Sequence, residues 1–164
     1  MKITEYLKKD NLIAELKATT REEVLQELAH ALSIRKEEVD LTEVVRALED
    51  REKLGTTCLG DGVAVPHAKV KGFPRMMVSF GRSLKGVDFD SPDGRPVNLF
   101  FLLVAPEGSH GEHLLLLSRL CRILRGEVRD KLLRATSKDE IYRIIEEEDQ
   151  RLLALEHPQE AIYK

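Results

Sequence analysis

Apolar residues recur at helical spacing in several stretches of the chain and run unbroken in others. Val24, Leu25, Leu28, Ala29 and Leu32 mark an amphipathic helix from Arg21 to Leu32. Thr20 with Glu23 is a capping box at its start. Asp40 with Glu43 repeats that signal before Val44, Val45 and Leu48, and this second helix is expected to end near Glu52, just before Gly55. Leu114, Leu117, Leu120, Cys121 and Leu124 predict a helix from Gly111 to Arg125, and a short one follows at Val128 to Leu133. Ser137 with Glu140 opens a last helix through Ile141, Ile144 and Ile145.

Strand-like runs lie between the helices. Leu12 to Leu16 predicts an edge strand, Val63 to Val65 a short buried one, and Met76 to Phe80 a further strand. Leu99 to Val104 is apolar without alternation, so both its faces should be covered, as in a central strand under helices. Ser91 to Pro96 reads SPDGRP, a turn. Strands alternating with helices argue an α/β fold: a single domain with a central mixed β-sheet and helices on both faces. The domain is expected over residues 1–147, with 148–164 as a C-terminal tail, either a helical extension or disordered. The EEED run at Glu146 to Asp149 reads as a solvated face or a fraying terminus.

Composition narrows the class. With 42% hydrophobic and 34% charged residues over 164 positions, the chain has material for one ordinary globular core. No apolar tract approaches the ~18 residues a membrane span needs, and MKITEYLKKD lacks the apolar region of a secretory signal. A net charge of −3 gives no reason to expect nucleic acid as a partner. Cys58 and Cys121 make no disulfide framework, which suits a reducing cytoplasm, and both read as small buried apolar residues.

Candidate chemistry concentrates in Arg51 to Lys69, REKLGTTCLGDGVAVPHAK. Gly60 and Gly62 around Asp61 call for a tight turn with positive φ. Pro66 stiffens the backbone behind the apolar triplet, so His67 is delivered at the end of a strand. A neutral imidazole is a competent nucleophile near pH 7; the alternative is a surface histidine in a loop. Arg51 falls on the last turn of the second helix, where the dipole favours a cation that can point to a neighbouring site. His113 falls in the first turn of the helix HGEHLLLLSRL. His110 and His113, three apart, raise the alternative of a zinc site with His67 or Cys58, but no HExxH or CxxC spacing supports it and no metal is expected. His30 reads as a helix C-terminal contact, and His157, in the polar tail, carries no signal.

Arg51-Glu52, LGDGVAVPHAK and EHLLLLSRLCRIL together resemble the fructose/mannitol type of enzyme IIA domain of the bacterial phosphoenolpyruvate-dependent phosphotransferase system, including its nitrogen-regulatory branch. The resemblance spans about Ile3 to Glu147. The chain departs from the family's more usual Ser-Thr-Gly and Gly-Asn-Gly at Thr56-Thr57-Cys58 and Gly60-Asp61-Gly62, which leaves the histidine chemistry intact. By resemblance His67 is the phosphorylated histidine, His113 the second active-site histidine and Arg51 the arginine beside them. A phosphoryl on His67 would be met by the forked guanidinium of Arg51 and a ring proton of His113, with backbone N–H groups of the Gly60 to Gly62 turn or of the His113 helix as further donors. No cofactor is implied. The implied donor is the phosphocarrier HPr or its nitrogen-branch relative. The implied recipient is an enzyme IIB component or, for a standalone regulator, a target protein.

Overall fold

The computed structural model describes residues 1–35 and 37–156. Two 3₁₀ turns (Ile3–Glu5 and Lys9–Asn11) lead into β1 (Leu12–Ile13), α1 (Arg21–His30), α2 (Leu41–Leu54), β2 (Cys58–Gly60), β3 (Val63–Ala64) and β4 (His67–Val70). The long strands β5 (Met77–Val87) and β6 (Val97–Pro106) follow, then α3 (His110–Ile123), α4 (Gly126–Arg134) and α5 (Lys138–Glu156). The six strands form one mixed sheet in the order β1-β5-β6-β3-β2, with β4 also on β6. β3 pairs with Leu99 and Phe100 of β6, and β4 continues on the same side against Leu103 to Pro106, both parallel.

The expectation that Leu99 to Val104 is covered on both faces holds, and side-chain alternation explains how. Leu99, Phe101, Leu103 and Ala105 face α3, α4 and α5, packing with Leu116, Leu120, Leu132, Ile141 and Ile145. Phe100, Leu102 and Val104 face α1 and α2, packing with Leu25, Leu28, Val44 and Leu48. One strand thus supplies the inner surface of two helical layers. Each buried Leu or Phe contributes on the order of 1.5–3 kcal/mol.

Two expectations needed correction. Β5 runs well past Phe80, because Gly81 and Arg82 break the apolar pattern without ending the strand. A Cβ at Gly81 would lie 2.8 Å from Leu16 Cδ2, so glycine there lets the α1 layer close onto the sheet. Arg82 is buried and donates from Nη1 to the carbonyls of Leu132 (2.9 Å) and Ala135 (2.6 Å), satisfying the open end of α4. The EEED run is not a solvated face at its end: Asp149 is fully buried and accepts from the backbone N–H groups of Ile3 (3.1 Å) and Thr4 (3.0 Å). Arg119 lies against it, Nε to Oδ1 at 3.4 Å, and also donates to Glu156 at 2.6 Å. The expected domain boundary at 147 falls inside α5, whose Leu152 and Leu153 are also buried. His157 lies outside the described residues.

The capping positions were read correctly, with altered partners. Thr20 Oγ1 accepts from Glu23 N, but the Glu23 carboxylate takes the Thr20 hydroxyl. Asp40 caps the N–H of Thr42, and Glu140 reaches back to Thr136 N–H.

Candidate functional site

Pro66 has no N–H to give the sheet, and the ladder against β6 is interrupted between β3 and β4; the Pro66 carbonyl accepts from Leu103 N at 3.0 Å. His67 is the first residue after the break, in register with Leu103. Its Nδ1 lies 2.8 Å from the carbonyl oxygen of Val65. A carbonyl only accepts, so Nδ1 carries the ring proton and the neutral ring presents its lone pair at Nε2.

His113 enters from the first turn of α3, its ring centroid 5.6 Å from that of His67 and the planes tilted by 52°. It is 7% exposed, and its Nε2 is buried without a hydrogen-bond partner. Leaving such a group unpaired costs about 1–3 kcal/mol, so a ring nitrogen in this position calls for a hydrogen-bond partner from the cavity. Burial holds the His113 pKa down to about 4, helped by the charges of His67, Lys69 and His110. Burial likewise lowers that of His67, opposed by the Val65 hydrogen bond and aided by Arg51 and Lys69. Both rings are therefore neutral at pH 7.

Arg51 comes from the last turn of α2, where the sequence placed it, and its Nη1 donates to Gly55 O at 2.8 Å. Behind it, Glu52 is buried and accepts from the backbone N–H and the hydroxyl of Thr57, tying the end of α2 to the start of β2. Burial pushes the Glu52 carboxyl pKa up, against the Thr57 hydrogen bonds.

Arg51, His67 and His113 line one cavity of about 580 Å³, together with Ala47, Asp50, Leu54, Ala68 and Lys69. Cavities of similar size lie around His30 against α1 and α2, so volume does not choose the site. Convergence of two neutral imidazoles and two cations does.

The Gly60 to Gly62 turn does take positive φ at Gly60, Asp61 and Gly62, as its sequence demands. It is not part of this cavity. Asp61 N–H donates to Asp93 Oδ2 at 2.9 Å, and the Asp61 carbonyl accepts from Arg129. Its proposed donor role is therefore withdrawn; the turn closes the β2 to β3 hairpin that sets up β4. Nor is a zinc site assembled with Cys58, whose thiol lies 3.3 Å from Val63 O and 2.8 Å from Ser91 Oγ. Among the described residues no group of three His, Cys, Asp or Glu is placed to hold a metal ion. His110 instead lies with its Nδ1 2.6 Å from Lys69 Nζ. Sequence reasoning gave Lys69 no role, although strand alternation, two residues beyond His67, would have put it on the same side.

No helix among the described residues is long and apolar enough to cross a membrane. Residues 5–148 match the family model described as phosphoenolpyruvate-dependent sugar phosphotransferase system, EIIA 2. Over 150 residues, 91% of the chain, it is 39% identical to the PTS system fructose-specific EIIABC component of Bacillus subtilis, and the match spans 24% of that longer protein. It is 40% identical over 136 residues to a nitrogen regulatory protein of Bradyrhizobium diazoefficiens, covering 83% of this chain and 88% of the relative. Among solved structures, the nitrogen regulatory protein IIA-Ntr of Neisseria meningitidis superposes with a TM-score of 0.80 at 33% identity, covering 87% of this chain and 98% of the other. Enzyme IIA of the Escherichia coli mannitol system, in complex with phosphorylated enzyme IIB, gives a TM-score of 0.70 at 27% identity, covering 85% and 97%. The chain thus belongs to the EIIA 2 family of the phosphoenolpyruvate-dependent sugar phosphotransferase system.

Proposed function

We propose that the protein is a cytoplasmic phosphoryl carrier in which His67 Nε2 takes a phosphoryl group from a phosphohistidine of HPr or its nitrogen-branch relative and hands it to an enzyme IIB component. The observation that carries this reading is the pairing of a tautomer-fixed nucleophile with an unpartnered donor site: His67 Nδ1–H on Val65 O, and the orphaned Nε2 of His113 across the cavity. In the transfer, the Nε2 lone pair forms the new N–P bond while the donor's N–P bond breaks and its electron pair returns to the donor ring. Throughout, the proton stays on Nδ1, hydrogen-bonded to the Val65 carbonyl, so the phosphorylated ring is a cation; a donor ring protonated on its second nitrogen leaves as a neutral imidazole, and the step needs no separate base.

The transferring phosphoryl spreads charge over its three outer oxygens, and positioned donors lower the barrier. His113, neutral at pH 7, donates from Nε2 to one oxygen, which removes the cost of its unpaired state. Arg51 leaves Gly55 O, a neutral and exposed acceptor, for an anionic oxygen, so that both partners of the new bond are charged. Leu54, 85% exposed on the cavity rim, offers apolar surface to a docking partner.

The names of relatives support a second use of the same chemistry: a regulator whose phosphorylation state selects its target protein. Discharge separates the two, since a transport carrier loses its phosphoryl rapidly to a IIB domain, whereas a regulator binds a target with phosphorylation-dependent affinity. The test of either is intact-protein mass after incubation with phosphoenolpyruvate, enzyme I and HPr or its nitrogen-branch relative. One acid-labile phosphate is expected on the wild type and none on His67→Ala. Phosphate on His67→Ala, or none on the wild type with either phosphocarrier, would refute the carrier assignment.

A further inference from the structure

We propose that Lys69 is a third ligand of the phosphoryl group on His67, parked on His110 until that group arrives; the inference rests on the carrier reading above. Lys69 lies two residues beyond His67 on β4, and alternate residues of a strand share a face. It lines the same cavity as His67, His113 and Arg51. Its ammonium donates to His110 Nδ1 at 2.6 Å, so that ring holds its own proton on Nε2. His110 opens α3, and His113 stands one turn further along the same helix. The parked lysine is thus held over the helix end that supplies the second histidine.

Donor counting gives Lys69 its role. A phosphoryl on His67 Nε2 presents three outer oxygens, each able to accept. His113 offers one ring N–H and Arg51 a fork, on one side from α3 and on the other from α2. Lys69 brings a separate donor from β4, with three rotatable N–H groups on a flexible stem. Like Arg51, it is held in the unphosphorylated protein by a neutral acceptor and not by a carboxylate. Moving from a neutral imidazole to a dianionic oxygen exchanges a bond with one charged partner for one in which both are charged. Two cations held on neutral acceptors are therefore free to move to the phosphoryl and to release it when it leaves.

Phosphoramidate tests this without any protein partner: His67 Nε2 bonds to phosphorus as the P–N bond of the reagent breaks and ammonia leaves. The readout is the ³¹P chemical-shift titration of the phosphorylated wild type, Lys69→Met and Lys69→Arg. An opposite charge favours the ionised form of its neighbour, so Lys69→Met should move the phosphoryl titration upward by about half a unit to one unit of pH, and Lys69→Arg should restore it. Because Lys69 is exposed, its replacement leaves the fold intact, which an unchanged far-UV circular dichroism spectrum would verify. Superimposable curves for wild type and Lys69→Met would overturn the role of Lys69 while leaving His67 as the acceptor. Failure of the wild type to take phosphate would overturn both.

Discussion

Asp149 and His113 are both buried ionisable groups, yet their surroundings differ in one respect. Asp149 accepts from Ile3 N–H, Thr4 N–H and the Thr4 hydroxyl, and it faces Arg119, which also reaches Glu156. His113 leaves Nε2 with no partner among the described residues, and the cations near it, Arg51 and Lys69, rest on a carbonyl and an imidazole. The first cluster is filled and fastens the N-terminal turn to α3 and α5. The second has donors held only by neutral acceptors, as the proposed transient phosphoryl would require. A filled polar cluster holds structure, and an unfilled one beside a nucleophile is where ligand chemistry is to be sought.

Breaking the filled cluster should cost the most stability. Asp149→Ala takes from the buried Arg119 one of the two carboxylates it faces and leaves two backbone N–H groups without their acceptor, an expected loss of about 3 kcal/mol in urea denaturation. A loss below about 1 kcal/mol would show that the cluster does not secure the fold.

The unfilled cluster should respond in function. His113→Gln is expected to slow phosphoryl transfer by about 10²-fold or more, the usual cost of removing one positioned donor. It should also flatten the acid limb of stability. An unfolded histidine binds a proton below about pH 6.5, whereas folded His113 stays neutral to about pH 4, so the unfolded state holds more protons in that window. Stability contributed by the neutral ring is complete above pH 6.5 and falls by up to about 3 kcal/mol by pH 4. Equal pH profiles for wild type and His113→Gln would contradict the burial of a neutral ring.

Arg51→Lys keeps the charge but loses the fork, and a loss of about 10-fold in transfer rate is expected from one missing charge-assisted bond. An undiminished rate would remove Arg51 from the phosphoryl's partners. The smallest effect belongs to His110→Ala, which frees Lys69 from its parking site. The phosphorylated fraction at a fixed donor ratio should rise by about twofold, as for loss of a net hydrogen bond of roughly 0.5 kcal/mol. A fall in that fraction would mean that His110 supports the phosphorylated state directly.

The sheet and its layers were legible because β6 is a continuous apolar run and the helices carry clear period and caps. Β5 was underestimated because Gly81 and buried Arg82 owe their places to Leu16 and to the end of α4, which are partners distant in sequence. Asp149 was misread for the same reason: nothing in EEED announces two N–H groups some 145 residues away. At the site, Arg51, His67 and His113 were proposed from helix ends, the Pro-His step and the family resemblance, and the fold places them around one cavity. What local pattern does not encode is hydrogen-bond direction. That Nε2 is the free nitrogen of His67 follows from the Nδ1 bond to Val65 O, and the pairing of Lys69 with His110 joins β4 to α3.

Central to the account is the claim that Val65 fixes the His67 tautomer and so fixes the nitrogen that takes the phosphoryl. A long-range ¹H–¹⁵N spectrum of the histidine rings, recorded before and after phosphorylation with phosphoramidate, tests it directly. Protonated Nδ1 on His67 beforehand and ³¹P coupling to its Nε2 afterwards are the results expected. Coupling to Nδ1, or to a ring nitrogen of His113, would contradict it.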